Sequence, residues 1–209
     1  SSFYKAGGKL SYSNGQTGIS FSSDYYNQES YTLPENFIQS EFTSSTQREN
    51  SRKENYSFIT DIRHNFKSNG FISGFFLGSY GNSGVPAEEG NSKPRYWKYP
   101  VWNMQMAGIH GNSGLMGVNI DYAFSWSGYK IVIDQFSDKS LSKIKQTEED
   151  RDNFYFGKIN LKSIITDQFV LNASLSGSHS LHNENFPYKK VSDKFTQNIF
   201  SSGLEIHFL

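Results

Sequence analysis

Apolar and polar residues alternate with a period of two over most of this chain. The clearest stretch covers residues 115–127. One parity there carries Met116, Val118, Ile120, Tyr122, Phe124 and Trp126, and the other carries Gly117, Asn119, Asp121, Ala123, Ser125 and Ser127. Because successive side chains of a strand point to opposite faces, this pattern predicts a β-strand with one apolar and one polar face.

Similar alternation predicts about nine strands along the chain. They cover residues 4–13, 18–26, 56–66, 71–80, 96–110, 115–127, 154–165, 169–182 and 195–208. Most of these segments are longer than the ~5–6 residues that are usual for strands of globular proteins. They match the ~9–11 residues that a tilted strand needs to cross a bilayer.

Short and long connections follow each other in strict alternation. The short ones, rich in Gly and Asn, are residues 14–17, 67–70, 111–114 and 166–168, and the long polar ones are 30–49, 81–95, 137–151 and 183–192. In an antiparallel meander this order places the short turns at one end and the long loops at the other. Outer-membrane barrels have short periplasmic turns and long extracellular loops, whereas a soluble β-sandwich has no reason to sort its loops.

The sequence therefore predicts an all-β fold, an antiparallel segment of a transmembrane β-barrel in the outer membrane of a Gram-negative bacterium. We expect Val118, Ile120, Leu171 and Leu175 to face lipid. Residues of the other parity should face the lumen, namely Asn119, Asp121, Asn172 and Ser174. A lysine or arginine on the lipid side would cost about 2–4 kcal/mol at the bilayer centre.

Composition agrees with an ordered, two-faced sheet. The chain has 209 residues, a formal net charge of +0, 18 Phe and 13 Tyr. A disordered chain would be poor in aromatic residues and carry a large net charge, and a nucleic-acid-binding protein would show a cluster of Lys and Arg on one face. No apolar run approaches the ~20 residues of a membrane-spanning helix. The absence of Cys excludes disulfides and thiolate chemistry.

The densest aromatic cluster consists of Tyr96, Trp97, Tyr99 and Trp102, where a long loop enters a strand. These residues are candidates for ligand contact by stacking on a sugar or another flat surface. The alternative, which we favour from sequence, is an aromatic girdle at the membrane–water interface.

No catalytic, cofactor or metal site is evident. Acidic residues between 134 and 152 could supply oxygen ligands to calcium, but they are interleaved with Lys and Arg and show no EF-hand spacing, which favours a solvated loop. His179 and His182 should lie on opposite faces of a strand, and we expect all five histidines to be structural or lumen-lining. Nothing selects a serine nucleophile, so we expect no enzyme, although a barrel lipase or acyltransferase is an alternative.

Two short segments carry a family resemblance. Gly84-Val85-Pro86 with Arg95-Tyr96-Trp97-Lys98-Tyr99-Pro100 resembles TonB-dependent outer-membrane receptors of the Bacteroidetes type. Ser201 to Phe208, with sequence SSGLEIHF, is similar to the strand signal used in barrel assembly. The resemblance implies TonB-coupled import of a chelated metal, cobalamin or a glycan fragment through a large barrel closed by a plug.

The chain departs from that family in size. It shows no plug, no TonB-box segment and no signal peptide, and an odd strand number is unusual for a bacterial barrel. We therefore expect residues 1–209 to be part of a barrel whose plug and remaining strands lie elsewhere. Outer-membrane lipid, the plug, the TonB complex and a small nutrient would be its partners. Alternatives are a complete small barrel with a structural or adhesive role and a secreted carbohydrate-binding sheet.

Overall fold

The computed structural model describes residues 3–37, 43–44, 46–67 and 70–208. The strands in chain order are β1 (Phe3–Ser13), β2 (Thr17–Gln28), β3 (Tyr31–Thr32), β4 (Thr43–Ser44), β5 (Gln47–Arg48), β6 (Lys53–Phe66), β7 (Gly70–Val85), β8 (Trp97–Leu115), β9 (Val118–Phe136), β10 (Ile144–Thr166), β11 (Phe169–Phe186) and β12 (Val191–Phe208). Nine of them form one antiparallel sheet in the order β1-β2-β6-β7-β8-β9-β10-β11-β12, and β3, β5 and β4 form a small separate sheet. The predicted all-β meander is confirmed. No helix in the described part of the chain is long and apolar enough to cross a bilayer.

The strand register collects the alternating residues into two distinct faces. Residues that are Cα partners in an antiparallel ladder point to the same side of the sheet. Ile120 pairs with Leu161, which pairs with Ala173. Asn119 pairs with Lys162, which pairs with Asn172. We call these two sides the Ile120 face and the Asn119 face.

The predicted grouping of the two parities agrees with this register. The four residues expected to face lipid, Val118, Ile120, Leu171 and Leu175, share the Ile120 face. The four expected to face the lumen, Asn119, Asp121, Asn172 and Ser174, share the Asn119 face.

Glycines on the Ile120 face make room for aromatic rings from the next strand. A Cβ on Gly157 would lie 3.1 Å from the Phe124 ring, and a Cβ on Gly177 would lie 3.1 Å from the Phe200 ring. Both distances are shorter than an ordinary carbon–carbon contact of ~3.5–4.0 Å. The glycines therefore let large side chains cover the backbone in a sheet that has no second layer.

The turn end of the sheet is built from tight hairpins. Asn14 accepts backbone hydrogen bonds from Gln16 at 3.1 Å and Thr17 at 2.7 Å, and Gly15 has a φ of 87°. The predicted turn at 166–168 is also confirmed, because β10 ends at Thr166 and β11 begins at Phe169. In the predicted turn at 67–70, residues 68 and 69 lie outside the described residues.

The predicted turn at 111–114 is wrong. β8 continues to Leu115, which pairs with Val118 across a two-residue turn of Met116 and Gly117. Both turn residues have positive φ, 51° and 81°, as a type I′ hairpin requires. Met116 is 95% exposed there, but it is apolar and has the parity of Val118 and Ile120, so alternation alone places it in the following strand.

The loop end differs more from the sequence prediction, because the strands extend beyond the alternating segments. The loop predicted at 137–151 shortens to residues 137–143, since β9 runs to Phe136 and β10 starts at Ile144. The loops predicted at 81–95 and 183–192 also contract to residues 86–96 and 187–190. The region 30–49 contains β3, β4 and β5, while residues 38–42 and 45 lie outside the described part.

β1 and β12 form the two edges of the large sheet. Every described residue of β12 is exposed. Within the described residues no strand pairs with the outer side of either edge. Two long unpaired edges are aggregation-prone in isolation.

Candidate ligand-contact site at the loop end

The two ends of the sheet differ in polarity. In β9 and β10 the Ile120 face carries Trp126 and Tyr155, which are Cα partners. Lys130 and Arg151, also Cα partners, occupy the same face four residues further along their strands. Charged side chains therefore appear on the Ile120 face beyond Trp126, and the candidate site lies in this region.

Three residues of the aromatic cluster, Trp97, Tyr99 and Trp102, lie on the Asn119 face. Trp102 pairs with Gly81 and with Ile131, and Trp97 pairs with Val85 and with Gln135. Ile131 and Gln135 have the parity of Asn119 in β9. The Tyr99 and Trp102 rings are 5.6 Å apart and tilted by 43°. An aromatic girdle would need these rings on the lipid-facing side of the sheet, and ligand contact would need them on the lumenal side.

A β-bulge explains how residues of opposite parity reach the same face. The register of β8 shifts against both neighbours near Pro100, between Gly81 and Ser83 on one side and between Lys98 and Val101 on the other. One extra residue in a strand inverts the parity beyond it, and proline has no N–H to donate to the ladder. Simple alternation would have separated Trp97 from Trp102.

Contacts from the preceding loops fix the start of β8. Asn50 donates through its Nδ2 to the carbonyls of Val85 at 2.7 Å and Trp97 at 2.8 Å. The Arg95 guanidinium lies 4.9 Å from the centre of the Trp97 ring and forms an ion pair with Glu88.

Tyr96 is separate from the rest of the cluster. It borders a small cavity of about 170 Å³ together with Asn50, Lys139 and Leu141, and its carbonyl accepts a hydrogen bond from the Phe136 N–H at 2.8 Å. The structure thus brings Tyr99 and Trp102 into contact and leaves Tyr96 beside another cavity.

An acidic cluster lies in the same cross-strand row as Trp102. Ile131, the partner of Trp102, also pairs with Asp150, which pairs with Glu184. Carboxylate oxygens of Glu148, Asp150 and Glu184 all lie within 4.8 Å of one another. Three oxygens in this arrangement suit a hard cation such as Ca²⁺. The expectation from the sequence that the chain has no metal site is therefore not tested and stays a prediction.

The solvated-loop interpretation of these acids is wrong for residues 144–151, which belong to β10. Glu184 was missed because it lies 34 positions from Asp150 in sequence and only the β10–β11 register joins them. This part of β10 carries charged residues on both faces. It therefore lacks the alternation of apolar and polar residues by which a strand is recognised in a sequence.

Burial and like charges weaken the acidity of this cluster. Burial raises the pKa of the Glu148 carboxyl, and the charges of Asp150 and Glu184 raise it further. The pKa of the Asp150 carboxyl is also raised, first by burial and then by Glu184. A bound cation or a positively charged ligand group would relieve this repulsion.

His182 extends the row next to the acidic cluster. Its Nδ1 lies 2.5 Å from Oδ1 of Asp152, and this hydrogen bond raises the pKa of the imidazole. His179 pairs with Tyr155 on the Ile120 face, whereas His182 pairs with Asp152 on the Asn119 face. The prediction that these two histidines point to opposite sides is confirmed.

Neither a protein-family model nor a curated protein matches the chain. Solved structures do match its fold. The copper transporter OprC has a TM-score of 0.64 at 9% identity and is matched over 98% of this chain and 32% of its own. The alcaligin outer-membrane receptor FauA from Bordetella pertussis has a TM-score of 0.56 at 13% identity, over 99% of this chain and 32% of its own. The ferric yersiniabactin uptake receptor FyuA from Yersinia pestis has a TM-score of 0.55 at 10% identity, over 98% and 34%.

These matches confirm, at the level of fold, the resemblance to the barrels of TonB-dependent outer-membrane receptors. The chain spans about a third of the length of the solved proteins that it matches. It has the fold of part of such a barrel wall.

Proposed function

We propose that this chain forms part of the wall of an outer-membrane barrel that imports a small nutrient in a TonB-coupled manner. One observation carries the proposal: the register sorts nine strands into an apolar Ile120 face and a largely polar Asn119 face, with tight turns at one end. In this arrangement the Ile120 face meets lipid and the Asn119 face lines the lumen. The turn end lies in the periplasm and the loop end outside the cell.

The two edges support a larger barrel rather than a closed small one. In a closed nine-stranded barrel β1 would pair with β12, but these strands form opposite edges of the described sheet. Unpaired backbone groups are not tolerated in a bilayer. Further strands of the same protein would cover both edges, and a plug would fill the lumen.

The loop-end site supports a role in ligand capture. Tyr99 and Trp102 offer apolar ring surface, and Glu148, Asp150 and Glu184 offer negative charge in the adjoining rows. A ligand that enters from the outside meets these groups first. The proposal covers a chelated metal, cobalamin or a glycan fragment as cargo, and no enzymatic step.

The test is uptake by cells that carry the intact protein under nutrient limitation. Trp102→Ala should reduce uptake of the limiting nutrient several-fold, because stacking on one aromatic ring contributes roughly 1–3 kcal/mol. Tyr56→Ala is the matched control, since Tyr56 is an exposed ring at the loop end of the Ile120 face. Equal uptake by wild type and Trp102→Ala, or equal loss in both variants, would contradict the assignment of the Asn119 face to the lumen.

A further inference from the structure

An apolar groove crosses the Ile120 face from β6 to β12. It has a volume of about 960 Å³, within the ~300–1,000 Å³ of sites that hold organic ligands. The small side chain of Ala107 lines it, and Ile109, Phe124 and Leu175 are among the large side chains that border it.

Amphipathic side chains border the groove on the side of the loop end. Trp126 donates through Nε1 to Oδ1 of Asn153 at 3.1 Å. His179 Nδ1 lies 2.6 Å from Oδ1 of Asn198, and its ring is 6.0 Å from that of Tyr155. These groups combine an apolar ring with a polar edge, as residues at the boundary between acyl chains and headgroups do.

A row of cations follows beyond this border, on the same face. Lys130 pairs with Arg151, Arg151 with Asn183, and Asn183 with Lys194. With ~4.8 Å between neighbouring strands, the row is about 14 Å long. The side chains of Lys130 and Arg151 are 40% and 59% exposed.

The row keeps a positive charge after its internal ion pair is counted. Glu149 lies 3.2 Å from Lys130 and 2.5 Å from Arg151, so one carboxylate is shared by two cations. Lys194 forms no ion pair with any residue that the structure describes. Three cations and one carboxylate leave a net charge of about +2, taking each group at its usual ionisation.

We propose that this surface binds a lipid with a phosphate-bearing headgroup, whose acyl chains occupy the groove and whose phosphate contacts the cationic row. The inference rests on the proposed function, in which the Ile120 face meets the outer leaflet. Arg151 lies four residues beyond Tyr155, which is ~13 Å along the strand and ~10 Å in height at a tilt of ~40°. The headgroup layer is ~5–8 Å thick on each side of the bilayer, and the long side chain of Arg151 can reach back over the remaining distance.

Charge and donor geometry select the headgroup. An excess of cations favours an anionic lipid over a zwitterionic one, and each Lys or Arg near an anionic surface contributes ~1 kcal/mol. The planar fork of Arg151 can pair with two phosphate oxygens at once. A net charge of about +2 corresponds to roughly 30-fold selectivity.

The experiment compares lipid retention by the intact protein, purified in neutral detergent and analysed by native mass spectrometry. The probes are phosphatidic acid and phosphatidylcholine with identical acyl chains. Wild type should retain phosphatidic acid about 30-fold more strongly. The triple variant Lys130→Gln, Arg151→Gln, Lys194→Gln should lose this preference.

The matched control is the triple variant Lys9→Gln, Lys53→Gln, Lys162→Gln, which removes the same charge from the Asn119 face. It should keep the preference of the wild type. Equal loss in the control, no preference in the wild type, or displacement of the lipid by inorganic phosphate would overturn the proposal. If the triple variant of the row does not fold, Lys194→Gln alone should reduce selectivity about fivefold, and an unchanged value would count against the proposal.

Failure of the proposed function gives a different result. If the wild type does not insert into vesicles as a heat-modifiable barrel, the membrane assignment itself fails. If it inserts but shows no preference for phosphatidic acid, only the lipid site fails.

Discussion

Replacing Leu175 with lysine places a charge at mid-height of the Ile120 face. The apolar stretch from Val118 to Trp126 rises ~26 Å along the strand, or ~20 Å in height at a tilt of ~40°. Its midpoint is Tyr122, whose partner Ile159 pairs with Leu175. Leu175 is 59% exposed, so a longer side chain meets no steric barrier and the cost is that of placing a charge in lipid.

The expected loss of folding free energy is about 2–4 kcal/mol, the cost of a lysine at the bilayer midplane. This corresponds to a shift of roughly 30- to 900-fold in the folding equilibrium. The assay is reversible denaturant-dependent folding of the intact protein into phosphatidylcholine vesicles, followed by tryptophan fluorescence and heat-modifiable migration.

Ser174→Lys is the control, because Ser174 is the sequence neighbour of Leu175 on the opposite face and pairs with Asn160 and Gly203. It should change the folding free energy by less than ~1 kcal/mol, as expected for a position that does not meet the hydrocarbon. Leu175→Met controls for the loss of branched apolar contact. A larger penalty for Ser174→Lys than for Leu175→Lys would refute the assignment of the faces.

Two further predictions concern packing and pH. Gly78→Ala should destabilise the sheet by ~1–3 kcal/mol in the same assay, because a Cβ there would lie 2.7 Å from the Phe58 ring. Gly8→Ala is the control and should leave the stability unchanged, because a Cβ at Gly8 would have nothing within 4 Å. His182 holds its proton more tightly in the folded chain because of Asp152, so its stabilisation is complete below the ordinary pKa of ~6.5 and is lost as pH rises through the raised value. Amide exchange near His182, corrected for intrinsic rates, should therefore speed up as the pH rises above the raised pKa. Asp152→Asn should lower the pKa of His182 measured by NMR and remove this pH dependence. An unchanged titration of His182 in that variant would contradict the assigned role of Asp152.

The sequence predicted the strands best where one face is apolar. Between Val118 and Trp126 every second residue is large and apolar. The strand and the apolar face predicted from this period are those that the register of β9 shows. The same reasoning failed for the start of β10, where Glu148, Glu149 and Arg151 carry charge on both faces. A strand segment with charged residues on both faces shows no alternation of apolar and polar residues. The start of β10 is defined instead by its backbone pairing with β9 and β11.

The candidate site was predictable in part. The aromatic residues were identified from composition, but their face depends on the bulge near Pro100, which inverts the parity between Trp97 and Trp102. The acidic cluster needs Glu184, which joins Asp150 through the β10–β11 register. The cationic row from Lys130 to Lys194 depends on three successive registers and has no local signature in the sequence.

The most direct test of the membrane wall is a scan of single-cysteine variants in β9, for which this chain offers a background without native Cys. In vesicles, a fluorophore at Ile120, Tyr122 or Phe124 should be quenched by lipid-borne quenchers, whereas one at Asn119 or Asp121 should react with, and respond to, water-soluble reagents. The account predicts that accessibility alternates with a period of two. Uniform accessibility, or lipid quenching at Asn119 and Asp121 instead, would contradict it.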